Sequence, residues 1–163
     1  VIDRNDYIQK IRAAAQTKGE RDFFIVARTD AVAAVGLDEA IARVEAARAA
    51  GADATFVEAP DSLDQLREIG RRAPKPTVAN MIEQGKTPVL EQTQLAELGF
   101  DLILYPLAGL YASAHALTTV YDRLRGDGTT SGVRQQLMAF EQFNKLIGVD
   151  EKYALAQRFG EGE

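Results

Sequence analysis

Four short and almost wholly apolar segments alternate along the chain with longer segments in which apolar residues recur every three or four positions. The apolar segments read DFFIVA, ATFVEAP, PTVAN and DLILYP. Continuous apolar runs rich in aromatic and β-branched residues are typical of strands in parallel sheets, and the first run predicts a strand buried on both faces. The alternation therefore predicts an α/β chain built from four βα units.

The helix-like segments carry start and stop signals. Asp38 can cap the helix that follows the first strand, and Gly51 can end it. Lys86, Thr87 and Pro88 predict another helix start, because proline is tolerated in a first helical turn. A turn rich in glycine, threonine and serine at 126–132 precedes two further helical stretches, at about 133–147 and 150–159. We therefore predict four βα units in residues 1–125 and a C-terminal helical segment in 126–163.

Two architectures fit four βα units. The predicted strands are spaced about 22 to 31 residues apart, which is the spacing of βα units in a parallel sheet. A (β/α)8 TIM barrel takes about 250 residues, so four units would be its second half, strands 5 to 8, followed by C-terminal helices. The alternative is a four-stranded doubly wound parallel sheet. A helix precedes the first strand, which favours a chain that enters a repeating fold partway through.

The composition excludes several kinds of protein. There are 19 Lys and Arg against 24 Asp and Glu, a net charge of -5, without the basic patch that a nucleic-acid surface needs. The chain has no cysteine and a single histidine, so disulfides, thiolate zinc sites and histidine-rich metal sites are not expected. No apolar run approaches the roughly 20 residues of a membrane helix, and we expect a cytoplasmic protein with no membrane partner. The Gly-Lys-Thr at 85–87 is not a phosphate-binding loop, because Asn80 stands where that loop requires glycine.

Polar residues end the apolar runs. The first run ends in Arg28-Thr29-Asp30, the second in Glu58 and the third in Asn80. Because the carboxyl ends of parallel strands share one edge of a sheet, we expect a cation, a carboxylate and an amide to meet there. Strand ends are also polar for structural reasons, so an ordinary Arg–Glu ion pair and a turn-forming asparagine remain open. Arg28 is the most informative residue, because a guanidinium after an apolar run needs a partner or a ligand.

Four motifs in order carry a family resemblance. FFIVARTDA, GLDEAIARVEAARAAGADATFVEAP, ANMIEQGKTP and LGFDLILYPLAGLYA together resemble the isocitrate lyase and phosphoenolpyruvate mutase superfamily. The likeness is greatest to its branch of methylisocitrate lyases, dimethylmalate lyases and carboxyphosphonoenolpyruvate phosphonomutases, and it covers nearly the whole chain. It implies a (β/α)8 barrel in which these strands are the fifth to eighth.

The resemblance also implies site residues and a cofactor. Arg28 matches the family arginine that grips a substrate carboxylate or enolate oxygen, Glu58 the glutamate near the metal, and Asn80 the asparagine that holds a carboxylate. It implies Mg²⁺ or Mn²⁺, with direct ligands on earlier strands and Glu58 reaching the metal through water. Those strands, and the loop with the lyases' catalytic cysteine, have no counterpart in this sequence. We therefore expect another segment to supply the first half, or the chain to be a fragment.

The function implied is metal-dependent cleavage of a C–C bond in a 2-hydroxy di- or tricarboxylic acid, through a stabilised enolate, by the intact protein. Oxaloacetate decarboxylase or phosphonomutase chemistry, or a non-catalytic half-barrel, are the alternatives. The expected partners are a small carboxylic acid substrate and either further copies, as a tetramer with a C-terminal helix exchanged between neighbours, or the missing half-barrel. For the 163-residue chain alone we expect no turnover.

Overall fold

The computed structural model describes residues 1–160 of the 163-residue chain. The chain folds into two compact units, Val1–Tyr111 and a second that begins at Ala112. The strands are β1 Val26–Thr29, β2 Ala54–Val57, β3 Thr77–Asn80 and β4 Leu102–Leu104. The α-helices are α1 Arg4–Lys18, α2 Val32–Val35, α3 Leu37–Ala49, α4 Leu63–Arg72, α5 Gln92–Leu98, α6 Ala108–Asp127, α7 Phe140–Leu146 and α8 Val149–Phe159, and a 3₁₀ helix covers Ser131–Gln136.

The four strands form one parallel sheet in the order β1-β2-β3-β4. Each strand therefore lies beside the strand that precedes it in the chain. A doubly wound sheet reverses its strand order at a switch point, whereas successive strands of a (β/α)8 barrel are neighbours throughout. The order confirms the α/β prediction and excludes the doubly wound alternative.

One face of the sheet is covered by helices. Val57 of β2 and Ala79 of β3 point to this face and pack in one apolar cluster with Val44 of α3, Leu66 of α4 and Leu95 of α5. Ala27 of β1 packs on the same face in a second cluster, which includes helix residues of α1 and α3. This helix-covered outer face is where the core of the first unit lies.

The opposite, inner face is buried at its centre and exposed at its edges. All four residues of β2 and three of the four of β3 are buried, whereas Val26 of β1 is 39% exposed and Leu102 of β4 is 46% exposed. The first strand begins at Val26, so Phe23 and Phe24 lie before it and are exposed. The predicted burial of this strand on both faces is wrong, because helices α1 and α3 pack on the outer face of β1 and leave Val26 and Arg28, on the inner face, exposed.

Two predicted helix starts are also wrong. Asp38 lies inside the first turn of α3, after the N-cap residue Gly36, and its carboxylate pairs with Arg72 at 2.7 Å. Helix α5 begins at Gln92, after the N-cap residue Glu91, rather than near Pro88. The start of α5 is instead marked by Gln94, whose side-chain oxygen accepts a hydrogen bond from the Glu91 N–H at 3.0 Å.

The second unit is helical. It contains most of α6, the 3₁₀ helix, α7 and α8, and the predicted stretches at 133–147 and 150–159 correspond to the last three. Many of its large apolar side chains are exposed, among them Phe140, Leu146 and Phe159. Helix exchange between subunits and the domain boundary at residue 125 remain predictions. Among residues 1–160, no helix has both the length and the apolar character needed to cross a membrane.

Candidate active site

Arg28, Glu58 and Asn80 come together at the carboxyl edge of the sheet, as the strand-end pattern predicts. Arg28 Nη1 lies 3.6 Å from Glu58 Oε2, and Asn80 Nδ2 lies 3.4 Å from both carboxylate oxygens of Glu58. The pairing register places Arg28 beside Phe56. Glu58 and Asn80 each come two residues after a residue of their own strand that points to the inner face, so their side chains point to the same face. The three side chains therefore project from the inner face of the sheet.

Arg28 is held by two neighbours. Its Nε and Nη2 donate to the two oxygens of Asp30 at 2.8 and 3.0 Å, and its guanidinium carbon lies 5.1 Å from the centre of the Phe56 ring. These hydrogen bonds raise the pKa of Arg28 and hold the pKa of Asp30 below its usual value. The orientation of the guanidinium group is thus fixed, and its Nη1 group points toward Glu58.

Glu58 and Asn80 form the less exposed part of the site. The Glu58 side chain is 14% exposed, against 47% for Arg28. The 3.4 Å contacts from the Asn80 amide are long for hydrogen bonds, and the Asn80 side-chain oxygen is buried without a partner among the described residues. Burial of a hydrogen-bond acceptor without a donor costs free energy in a native protein, and a functional site is one place where such a group is found. The amide is therefore free to tighten onto a ligand.

The net charge of this cluster is negative. Arg28 contributes +1, and Asp30 and Glu58 contribute -1 each, which sums to -1 with all three ionised. An anionic ligand would meet repulsion from Glu58 unless more positive charge were brought to the same edge. The described residues at this edge thus supply one orienting cation, and the neutralisation of an anionic ligand requires another source of positive charge.

The residues that the structure describes form no direct metal site. Among residues 1–160, no group of three or more His, Asp or Glu side chains lies close enough together to hold a metal ion. Glu58 is engaged by Arg28 and Asn80, so it is placed to accept one further hydrogen bond rather than to form a ligand cage. The described residues do not fit the direct coordination of Mg²⁺ or Mn²⁺. That the ligands lie outside this sequence stays a prediction.

A cleft of about 500 Å³ adjoins the loop after β3. It is lined by Ile82, Glu83, Gln84, Gly85 and Tyr111, and one carboxylate oxygen of Glu83 is buried without a partner in the described residues. Another cleft of about 530 Å³ lies near the start of β1, between the end of α1 and Phe23. Neither cleft is lined by Arg28, Glu58 or Asn80. We assign the site to the carboxyl edge because these three strand-end residues meet there, and the cleft after β3 adjoins that edge.

The backbone is strained beside the site. Within residues 1–160, the non-glycine residues with left-handed backbone are Ala59, with φ 56°, and Gln84, with φ 60°. Ala59 directly follows Glu58, and Gln84 lies in the tight turn closed by the hydrogen bond from the Gly85 N–H to the Ile82 carbonyl. Each left-handed residue with a β-carbon costs roughly 1 kcal/mol, and such residues concentrate at functional sites.

Replacing Gln84 by glycine is expected to stabilise the chain by up to about 1 kcal/mol, because glycine adopts this backbone without a steric penalty. Gln9 is the matched control, since it is exposed in the middle of α1, and its replacement by glycine should destabilise by a similar amount. Urea unfolding of the two variants should shift in opposite directions. A destabilised Gln84→Gly variant would contradict the strain.

Comparison with known proteins decides the family. The phosphoenolpyruvate phosphomutase family model matches residues 1–125. The chain belongs to this family. Among the relatives of this phosphoenolpyruvate phosphomutase family member, the carboxyvinyl-carboxyphosphonate phosphorylmutase of Arabidopsis thaliana is 45% identical over 162 residues, 98% of this chain. The 2-methylisocitrate lyase of Shewanella oneidensis is 36% identical over 148 residues, 91% of this chain.

A solved structure confirms the architecture of this phosphoenolpyruvate phosphomutase family member. The crystal structure of 2,3-dimethylmalate lyase, described as a member of the PEP mutase/isocitrate lyase superfamily, matches 98% of this chain with 32% identity and a TM-score of 0.84. The chain covers 57% of that structure and 48% and 51% of the two curated relatives. The chain is therefore a half-barrel that spans about half the length of its relatives, which are lyases and mutases.

The sequence predicted the three charged or polar residues at the strand ends, but it did not predict the aromatic ring that packs against one of them. Phe56 reads as an ordinary core residue in ATFVEAP, yet its ring lies beneath the Arg28 guanidinium. The signal was its position two residues before Glu58, which puts both side chains on one face of the strand. No residue pattern revealed the left-handed backbone of Ala59.

Proposed function

We propose that the full-length protein containing this half-barrel cleaves a C–C bond in a 2-hydroxy di- or tricarboxylic acid similar to 2,3-dimethylmalate or 2-methylisocitrate. The proposal depends chiefly on the convergence of Arg28, Glu58 and Asn80 within 3.6 Å contacts at the carboxyl edge of a family member's sheet. Cleavage removes the hydroxyl proton, converts the hydroxyl-bearing carbon into a carbonyl, and leaves the electron pair of the broken C–C bond on the neighbouring carbon as an enolate. A proton returned to that carbon gives the second acid product. Arg28 and the Asn80 amide suit an anionic substrate and that anionic intermediate, provided that further positive charge offsets the repulsion from Glu58.

Arg28 would stabilise the charge that develops on the enolate or carboxylate oxygen. Asp30 occupies one edge of its fork, and the Phe56 ring supports one flat face, so the remaining N–H groups have a fixed direction. Donors that are oriented before the reaction stabilise a developing charge without reorganisation. This preorganisation is the main contribution that we assign to the half-barrel.

Glu58 and Asn80 would orient the substrate. The carboxylate of Glu58 is suited to accept a hydrogen bond from the substrate hydroxyl or from a bound water, and the Asn80 amide to donate to a distal carboxylate. Its present contacts to Glu58 are long, at 3.4 Å, so a ligand oxygen could replace one of them at little cost. Positioning of this kind contributes to rate by holding the reacting groups in register.

The -1 charge of the cluster predicts that Mg²⁺, or Mn²⁺, accompanies the substrate with ligands from outside this chain. A divalent cation would supply the positive charge that Arg28 alone does not. We assign it no step, since the described residues do not form its site. A cytoplasmic location and assembly into a tetramer remain predictions.

The test is an assay of the full-length polypeptide with Mg²⁺ and 2,3-dimethylmalate, whose C2–C3 cleavage would release pyruvate and propionate. The 163-residue chain is the matched control, and we expect pyruvate from the full-length protein and none from the half-barrel alone. 2-Methylisocitrate provides a second substrate. Turnover by the isolated chain, or no keto acid from either substrate with the full-length protein, would overturn the proposal.

Phosphonomutase chemistry is the second candidate, because the phosphorylmutase relative has the higher identity, 45%, of the two curated relatives described. It would use the same enolate-stabilising residues and differs in the group transferred. ³¹P NMR of the full-length protein incubated with a phosphonate substrate, such as phosphonopyruvate, distinguishes the two. With oxaloacetate as the substrate, decarboxylation would be detected as release of CO₂ and pyruvate without any second organic acid.

A further inference from the structure

The sheet is incomplete at both of its edges. In the described part of the chain, β1 pairs with β2 alone and β4 pairs with β3 alone, so each edge strand presents unpaired backbone groups. The large apolar side chains exposed on the strands belong to these edges: Val26 on β1, and Leu102 and Leu104 on β4. Free, apolar strand edges favour pairing with another strand.

The two edges are compatible with each other. All four strands run parallel, so β1 and β4 point in the same direction. A two-fold axis along the strands would place β4 of one copy beside β1 of the other in parallel, and would do so twice. Both edges of both copies would then be paired in a closed, isologous assembly.

The curvature of the sheet matches such a closure. The half-barrel superimposes on a solved family member with a TM-score of 0.84 while covering 57% of it. Eight parallel strands are the number at which side chains fill a closed barrel, and two copies of this sheet supply eight. A flat four-stranded sheet would not present its edges at the angle that closure requires.

We propose that the isolated 163-residue chain dimerises through these edges, a second copy occupying the place of the half that its longer relatives carry. The contact pairs β4 of each copy with β1 of the other. It buries Val26, Leu102 and Leu104 in the interior of the closed barrel. The inference is independent of the proposed function. Such a dimer would contain two Arg28 clusters of charge -1, so the closed assembly has no reason to be catalytic.

Charge adds a condition to this assembly. Each copy carries a net charge of -5, so two copies repel each other at long range. Screening shortens this repulsion, since the Debye length falls from about 30 Å at 0.01 M salt to about 10 Å at 0.1 M. The dimer is therefore expected to become tighter as salt is raised across this range.

Analytical ultracentrifugation of the chain at micromolar concentrations tests the dimer. Leu102→Asp should raise the dissociation constant at least about tenfold, because it places a charge in the buried seam. Leu63→Asp is the matched control, since Leu63 is also partly exposed but lies in α4, away from the strand edges, and it should leave the constant unchanged. Far-UV circular dichroism shows whether both variants fold, and Leu104→Asp replaces Leu102→Asp if the latter does not.

Cross-linking tests the pairing itself. The chain has no cysteine, so Val26→Cys and Leu102→Cys each introduce a single thiol. With a short thiol cross-linker, an equal mixture of the two variants should form covalent dimers, and each variant alone should form far fewer, because β1 meets β4 and not its own counterpart.

Three outcomes would overturn the proposal. One is a monomeric wild-type chain at all salt concentrations. Another is a dimer that Leu102→Asp does not weaken, which would place the contact elsewhere, for example on the helical unit. The third is a chain that stays monomeric and associates only with a separately produced first half of a longer relative.

Discussion

Replacing Arg28 by lysine in the full-length protein is expected to lower kcat by about 10²–10³, the loss typical of removing one preorganised donor to a developing oxyanion. An ammonium group keeps the charge but cannot donate to both oxygens of Asp30, at 2.8 and 3.0 Å, and also reach toward Glu58. It also loses the flat stacking on Phe56. Steady-state kinetics with 2,3-dimethylmalate measures the effect.

Arg67→Lys is the matched control for this experiment. Arg67 is an exposed arginine of α4 that pairs with Asp64 at 2.7 Å. It therefore forms an ion pair of the same kind as Arg28 but does not lie at the end of a strand. Its replacement should leave kcat within about twofold, since exposed pairs contribute little. Near-normal turnover by Arg28→Lys would remove Arg28 from the site and leave the ion pair as a structural feature.

Replacing Gly70 by alanine is expected to destabilise the first unit by several kcal/mol, although the same change in an exposed helix would stabilise it by about 1 kcal/mol. A β-carbon at Gly70 would overlap the carbonyl oxygen of Leu98 and lie 2.9 Å from its carbonyl carbon. These are backbone atoms where α5 ends against α4, so no side-chain rotation relieves the clash. Urea unfolding followed by circular dichroism measures the loss.

Gly109→Ala provides the comparison for Gly70→Ala. Gly109 lies in α6 within the first unit, and a β-carbon there would meet no atom within 4 Å. We expect a neutral or slightly stabilising change, up to about 1 kcal/mol. Equal destabilisation by both substitutions would mean that the close approach of α4 and α5 does not limit residue 70.

The strand and helix order could be predicted because each element carries its own local signal. The apolar runs predicted the four strands, and the parallel, sequential arrangement followed from βα spacing and the family motifs. The local pattern of apolar residues did not reveal whether a strand lies at the centre or at the edge of the sheet. DFFIVA is as apolar as any buried strand, yet Phe23 and Phe24 are exposed and β1 is an edge, a property that depends on which neighbours are present.

The site could be predicted only in part. Residue type and strand-end position brought Arg28, Glu58 and Asn80 together, because parallel strands align their carboxyl ends. The fixed direction of Arg28 could not be predicted, since it depends on Asp30 folding back beside it and on a ring from the neighbouring strand. The left-handed backbone at Ala59 and Gln84 also had no local signal, because neither residue type favours it.

The sequential strand order also bears on how the chain folds during synthesis. Each strand pairs with the one made just before it, so no strand waits for a partner from a distant part of the polypeptide. Contacts between near neighbours in sequence close small loops and form quickly. Each βα unit can therefore dock on the previous one as it leaves the ribosome, and the growing sheet has two free edges, β1 and the strand made last. Premature association during translation would then act at β1, which is available throughout, or at the advancing edge, which is β4 once all four strands are in place.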